Sequence, residues 1–142
     1  MKNKTESFCV NFYQTCHALP FPRTYLNTLV RTLYKNEKRL AKKEVNVVLC
    51  PDYTIKQLNR KYRGKNRPTD VLSFPFNEQN FLGEIYLSLE RAAVQARRFN
   101  TTYKKEVGRL LVHGFVHLLG YDHETGKDRV KMEAVERKYV DL

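Results

Sequence analysis

Three histidines crowd into the last third of the chain. In HGFVHLLGYDH, residues 113–123, they are His113, His117 and His123, at offsets of zero, four and ten, with Gly120 three residues before the last. His113 and His117 lie in a run of apolar residues at helical spacing, so both imidazoles leave one face of a helix with Cβ atoms about 5–6 Å apart. Gly120 suits the left-handed conformation that ends a helix, which lets the chain reverse and bring His123 back toward the other two. Three converging imidazoles with a fourth position open make a catalytic zinc site, whereas structural zinc takes four ligands rich in cysteine. Imidazole suits zinc, and nickel, copper and iron accept the same donors. The plainer reading makes His113 and His117 satisfied core histidines and His123 a surface one.

The same ligand spacing serves zinc peptidases, which place a glutamate directly after the first histidine as their base. Here that position is Gly114. Glycine carries no carboxylate, so spacing alone suggests a peptidase and residue 114 speaks against one. A glycine inside a helix also costs about 1 kcal/mol relative to alanine. Two reasons would justify it: close packing of the helix on a strand, or room for a bulky substrate above the metal. Asp122 and Glu124 flank the third histidine and suit orienting an imidazole better than acting as a base.

The helix bearing the pair has to be held firmly. Thr101 or Thr102 caps it, and Val107, Leu110, Leu111, Val112, Phe115, Val116, Leu118 and Leu119 make it apolar on most sides, so it belongs in the core. A last helix opens at the capping-box spacing Thr125-Gly126-Lys127-Asp128 and packs through Met132, Val135 and Tyr139. Upstream, SFCVNFY, EVNVVLC, VLSFPF and GEIYLS read as four strands, with Pro75 making the third short or an edge. Helices are expected from Thr24 to about Lys43, after Pro51 with Asp52 or Thr54 as cap, and over LERAAVQARRF to near Asn100. RGKNRPTD is an exposed cationic loop; Thr69 and Asp70 suit ordering its turn into the next strand. Of Ser73 and Phe74, alternation does not say which faces the cleft.

A chain of 142 residues buries about two thirds of its unfolded surface and is too short for two independent domains, so residues 1–142 are read as one. The balance of 26 Lys and Arg against 15 Asp and Glu leaves +11, which favours polyanions and puts nucleic acid first among partner classes. Arg31, Lys35, Lys38 and Lys42 line one face of the first long helix, either a solvated face or a secondary RNA contact. Cys9, Cys16 and Cys50 form no C-x-x-C pair and suit a reducing cytosol. No stretch approaches the roughly 20 apolar residues of a membrane span, so no membrane role is expected.

Taken together, these blocks resemble a known family. HGFVHLLGYDH is similar to the signature of the YbeY family, rRNA maturation factors also described as single-domain endoribonucleases, in which H-G-x-x-H-L-x-G-Y-D-H binds zinc. LNRKYRGKNRPTDVLSFPF, from Leu58 to Phe76, and LGEIYLS, from Leu82 to Ser88, resemble its other two blocks, in its order and at its spacing. Arg67 before Pro68, and Glu84 where the family often has Asp, are mild departures. The resemblance implies an α+β, zincin-like fold, with helices on a small mixed sheet and a central helix carrying two ligands. It puts the zinc ligands on His113, His117 and His123, and the family's important Y-R-G arginine on Arg63.

It further implies a cytoplasmic, zinc-dependent endoribonuclease acting on single-stranded RNA, in maturation of the 3′ end of small-subunit rRNA and in ribosome quality control. The implied partners are rRNA, the small subunit and ribosomal or assembly-factor proteins. The chemistry expected of such a site is activation of water or grip of a phosphate oxygen by zinc, while the Arg63 guanidinium binds phosphate bidentately and stabilises its charge. The plainer role for Arg63 is holding the loop through carbonyl contacts. A rival from another class is an RNA-binding assembly factor with a structural zinc; a third, from ligand spacing alone, is a metalloprotease.

Overall fold

Strands β1 (Lys2–Lys4), β2 (Val10–Gln14), β3 (Glu44–Cys50), β4 (Val71–Pro75) and β5 (Phe81–Ser88) join in one mixed sheet, in the order β1-β2-β3-β5-β4. The computed structural model describes residues 2–4, 9–65, 69–76, 78–121 and 126–140. Around the sheet lie α1 (Arg23–Asn36), α2 (Asp52–Arg63), α3 (Leu89–Arg98), α4 (Tyr103–Leu118) and α5 (Gly126–Val140). This is the expected α+β arrangement of helices on a small mixed sheet. Strand β3 runs parallel to both β2 and β5, and a strand covered on both faces reads as a near-continuous apolar run, as EVNVVLC does. Strand β4 is antiparallel to β5 and lies at the sheet edge, where Pro75 costs no ladder bond. Beyond the four expected strands, β1 pairs antiparallel with β2; its Lys-Asn-Lys sequence carries no strand pattern.

The two sheet faces do different work. Val45, Val47, Leu49, Ile85 and Leu87 turn toward the main core, where α1 and α4 pack. Val48, Cys50, Leu72, Phe74 and Tyr86 turn the other way, toward Ile55 and Leu58 of α2. Strand alternation therefore puts α2 and α4 on opposite faces.

Three local expectations need correction. Helix α1 stops at Asn36, not Lys43, because Glu37 turns extended (φ −103°, ψ 100°), and Leu40 reaches the core from a 3-10 turn over Lys38–Leu40. The cationic row is thereby divided: Arg31 and Lys35 lie on the helix, Lys38 and Lys42 beyond its end, all four exposed. Neither Asp52 nor Thr54 caps α2; the cap residue is Pro51, and Asp52 instead accepts hydrogen bonds from Ser88 Oγ at 2.6 Å and Arg91 Nη2 at 3.0 Å. Strand β2 begins at Val10; Phe8 lies outside the described residues, as does Thr125 of the last helix's capping box. For α4 the cap is Thr102, whose hydroxyl accepts from the Lys105 amide. Cys9, Cys16 and Cys50 are free thiols, and among the described residues no helix is long and apolar enough to cross a membrane.

Gly114 sits where α4 crosses β5. A Cβ there would stand 2.7 Å from Ile85 Cγ2 and 3.1 Å from its Cδ1, so close helix–strand packing explains the glycine. Gly114→Ala is expected to destabilise the protein by about 1–3 kcal/mol through overpacking, despite alanine's better helix propensity. Ile85→Val in the same chain should return part of the loss. Denaturant titration of wild type and the two variants checks this, and an unchanged midpoint for Gly114→Ala would contradict it.

Candidate functional site

Helix α4 is buried nearly all round, which its apolar sequence requires. Its partly exposed stripe runs through Arg109, His113 and His117, residues four apart and therefore on one face. The histidine pair thus lies where the central helix meets solvent, not within the apolar core. The two rings meet edge to face with centroids 4.7 Å apart, and their Nε2 atoms approach to 3.2 Å. Two imidazole nitrogens on one tetrahedral zinc, each about 2.0–2.1 Å from the ion, stand about 3.3–3.4 Å apart, so the pair has the separation such an ion needs.

Behind His113 stands a carboxylate that sequence reasoning did not single out. His113 Nδ1 donates to Glu136 Oε1 at 2.5 Å, across 23 residues of sequence. Glu136 lies on α5, whose Met132, Val135 and Tyr139 are buried as their spacing predicts, and the Tyr139 hydroxyl donates to the Glu37 carboxylate. Burial, with the Glu37 carboxylate second, pushes the Tyr139 phenol well above its usual range, so it stays a donor. One turn before His113, Arg109 forks onto Glu106 at 2.9 and 2.7 Å, which keeps that 2%-exposed carboxylate paired. These hydrogen bonds raise the Arg109 pKa further, and Glu136 and Asp70 add to the effect.

The end of α4 is built with equal care. Gly120 has φ +99°, its amide donates to His117 O and the Tyr121 amide donates to Val116 O, which is the Schellman pattern and the left-handed end expected of this glycine. Arg39, from the turn after α1, takes the Leu119 carbonyl and lies over the Tyr121 ring. The chain leaving α4 is therefore fastened just before the third histidine. His123, Asp122 and Glu124 lie outside the described residues, and among those described no three metal-binding side chains form a group.

Strand β4 divides the remaining candidates. Ser73 faces α4 and donates to the Gly114 carbonyl at 3.0 Å, beside His113, whereas Phe74 faces α2 and stacks edge-on with Tyr62 and Tyr86. Glu84 is on that second side too, accepting from Tyr86; burial and the neighbouring Glu84 raise the Tyr86 pKa. Asp70 is tied down by Gln95, and its backbone carbonyl takes the Ser88 amide, an ordering role at the turn; Arg67 and Pro68 lie outside the described residues. Arg63 is the exposed last residue of α2, followed by Gly64 at φ +68°. No described hydrogen bond joins it to the histidine pair, and it forms no ion pair among the described residues, whereas Arg91 and Arg109 are both paired.

Comparison with known proteins agrees with this architecture. The family described as Endoribonuclease YbeY matches residues 15–142. A protein named Endoribonuclease YbeY from Sulfurihydrogenibium sp. (strain YO3AOP1) is 36% identical over 137 residues, covering 93% of this chain and 90% of that relative. One of the same name from Thermotoga maritima is 41% identical over 119 residues, covering 80% and 79%. Another from Bacillus subtilis is 39% identical over 111 residues, covering 69% and 71%. A solution structure of a Thermotoga maritima protein matches with a TM-score of 0.66 at 36% identity, covering 93% of this chain and 87% of that one.

Proposed function

Since the chain belongs to the YbeY family of endoribonucleases, we propose that it is a zinc-dependent endoribonuclease cutting single-stranded rRNA, in maturation of the small-subunit 3′ end and in ribosome quality control. The observation that carries the zinc is the approach of His113 and His117, with 3.2 Å between Nε2 atoms. His113 and His117 would hold the ion together with His123, whose spacing completes the set. Held by three nitrogens, zinc supplies Lewis acidity toward a phosphate oxygen or water.

The chain's own residues supply the rest. Arg63, exposed and outside any described ion pair, is available to fork onto a backbone phosphate. A net charge of +11 draws RNA to the surface through counterion release. Residue 114 faces Ile85 in the core, so the position a zinc peptidase gives to its base has no room for a carboxylate, and the peptidase reading is set aside.

The test uses a 3′-extended small-subunit rRNA fragment, with metal measured on the same protein samples. One zinc per chain and endonucleolytic cleavage lost on chelation and restored by zinc are expected. Full cleavage by metal-free protein would overturn the proposal. A zinc-replete protein that binds the fragment without cutting it would support an assembly factor instead. End groups identify the attacking oxygen: a 2′,3′-cyclic phosphate means the ribose hydroxyl, and a hydrolysed end from the first turnover means water.

A further inference from the structure

The geometry points to Glu136 as the residue that positions His113 for the metal, an inference that rests on the zinc reading above. A neutral imidazole carries one proton, and only the nitrogen without it can ligate. Glu136 Oε1, 2.5 Å from Nδ1, accepts that proton's hydrogen bond and so leaves Nε2 open toward His117 Nε2. A carboxylate behind a ligating histidine fixes both the tautomer and the ring's orientation, and raises the ligand's basicity.

Two further observations show that this contact is built into the fold. Glu136 is itself largely covered, its side chain 16% exposed against 22% for His113, so the contact is partly buried. Its place is set by packing: Met132, Val135 and Tyr139 seat α5, and the Tyr139–Glu37 bond fixes the helix against the segment following α1. Arg109, whose charge feels Glu136, is forked onto Glu106, and His113 is the partner Glu136 keeps among the described ion pairs. Readiness of the metal site therefore depends on docking of the C-terminal helix.

The experiment compares wild type, Glu136→Ala, Glu136→Gln and Glu133→Ala. Glu133 is exposed on the same helix, so its variant removes equal charge without touching His113. Zinc affinity is read by competition with a chromogenic chelator, and the His113 tautomer by nitrogen-15 NMR of the metal-free proteins. Glu136→Ala is expected to weaken zinc binding about 10–100-fold and to shift His113 from the Nδ1–H form toward a tautomer mixture. Glu136→Gln should lose less, because its amide oxygen still accepts from Nδ1–H, and Glu133→Ala should match wild type on both readouts. Wild-type affinity and an unchanged tautomer in Glu136→Ala would overturn the inference, as would an equal loss in Glu133→Ala. A wild-type protein that takes up no zinc would instead overturn the metal reading itself, and this inference with it.

Discussion

His117→Ala protein should fold, contain no stoichiometric zinc and leave the rRNA fragment uncut. Folding is expected because His117 lies on the partly exposed stripe of α4, so truncation opens no core cavity, and alanine is the better helix former. Its circular dichroism and unfolding midpoint should stay near those of wild type. Zinc is expected to go because two nitrogens remain where the spacing offers three, a larger loss than the roughly 10–100-fold that removal of a ligand's supporting partner costs. Cleavage should fall by at least about a thousandfold, the upper end of what one electrostatic donor contributes in other active sites. Both readouts have to move together. Zinc-free His117→Ala protein cutting at the wild-type rate would remove the histidine site from the reaction. A folded, zinc-free variant that still supports rRNA maturation in cells would equally rule out a zinc-dependent role.

The parts of this site that were legible in the sequence are those fixed by short-range periodicity. His113 and His117 are four apart within an apolar helix, and the strands β3 and β5 that carry α4 are strongly apolar, so pair and platform could be read directly. Gly120 was readable for the same reason, since a left-handed helix end is a local demand, whereas for Gly114 the choice between packing and substrate room waited on the contact with Ile85 of β5. Glu136 and Arg39 were not, because their roles depend on partners 23 and 80 residues away, and a glutamate or arginine on a helix or turn looks like any solvated charge. The end of α1 was misread because Leu40 keeps helical spacing from Leu33, while Glu37, which breaks the helix, receives the Tyr139 hydroxyl across the fold. Orientation at β4 needed the structure too: Ser73 and Phe74 are adjacent, and what covers each sheet face decides which of them meets α4.

Arg63→Ala should keep its zinc and its stability and lose RNA cleavage by about a hundredfold or more in kcat/KM, the scale on which single charge-stabilising donors act. Stability is expected to hold because the side chain is exposed, belongs to no described ion pair and ends its helix beside Gly64, which supplies the left-handed turn by itself. Arg63→Lys should recover part of the loss, since an ammonium keeps the charge and gives up the two-pronged grip on phosphate. The placement of α2 makes the split between KM and kcat informative. Because α2 and α4 cover opposite faces of the sheet, an RNA chain touching both Arg63 and the histidines has to pass from one face of the sheet to the other. If Arg63 holds a phosphate distant from the cut, KM rises, kcat is retained, and the dependence of log affinity on log salt flattens by about one contact. If the guanidinium reaches the phosphate being cleaved, kcat falls with kcat/KM. Unchanged turnover and affinity in the alanine variant would show that Arg63 does no more than end α2, and the phosphate contact would then have to come from another of the exposed cations.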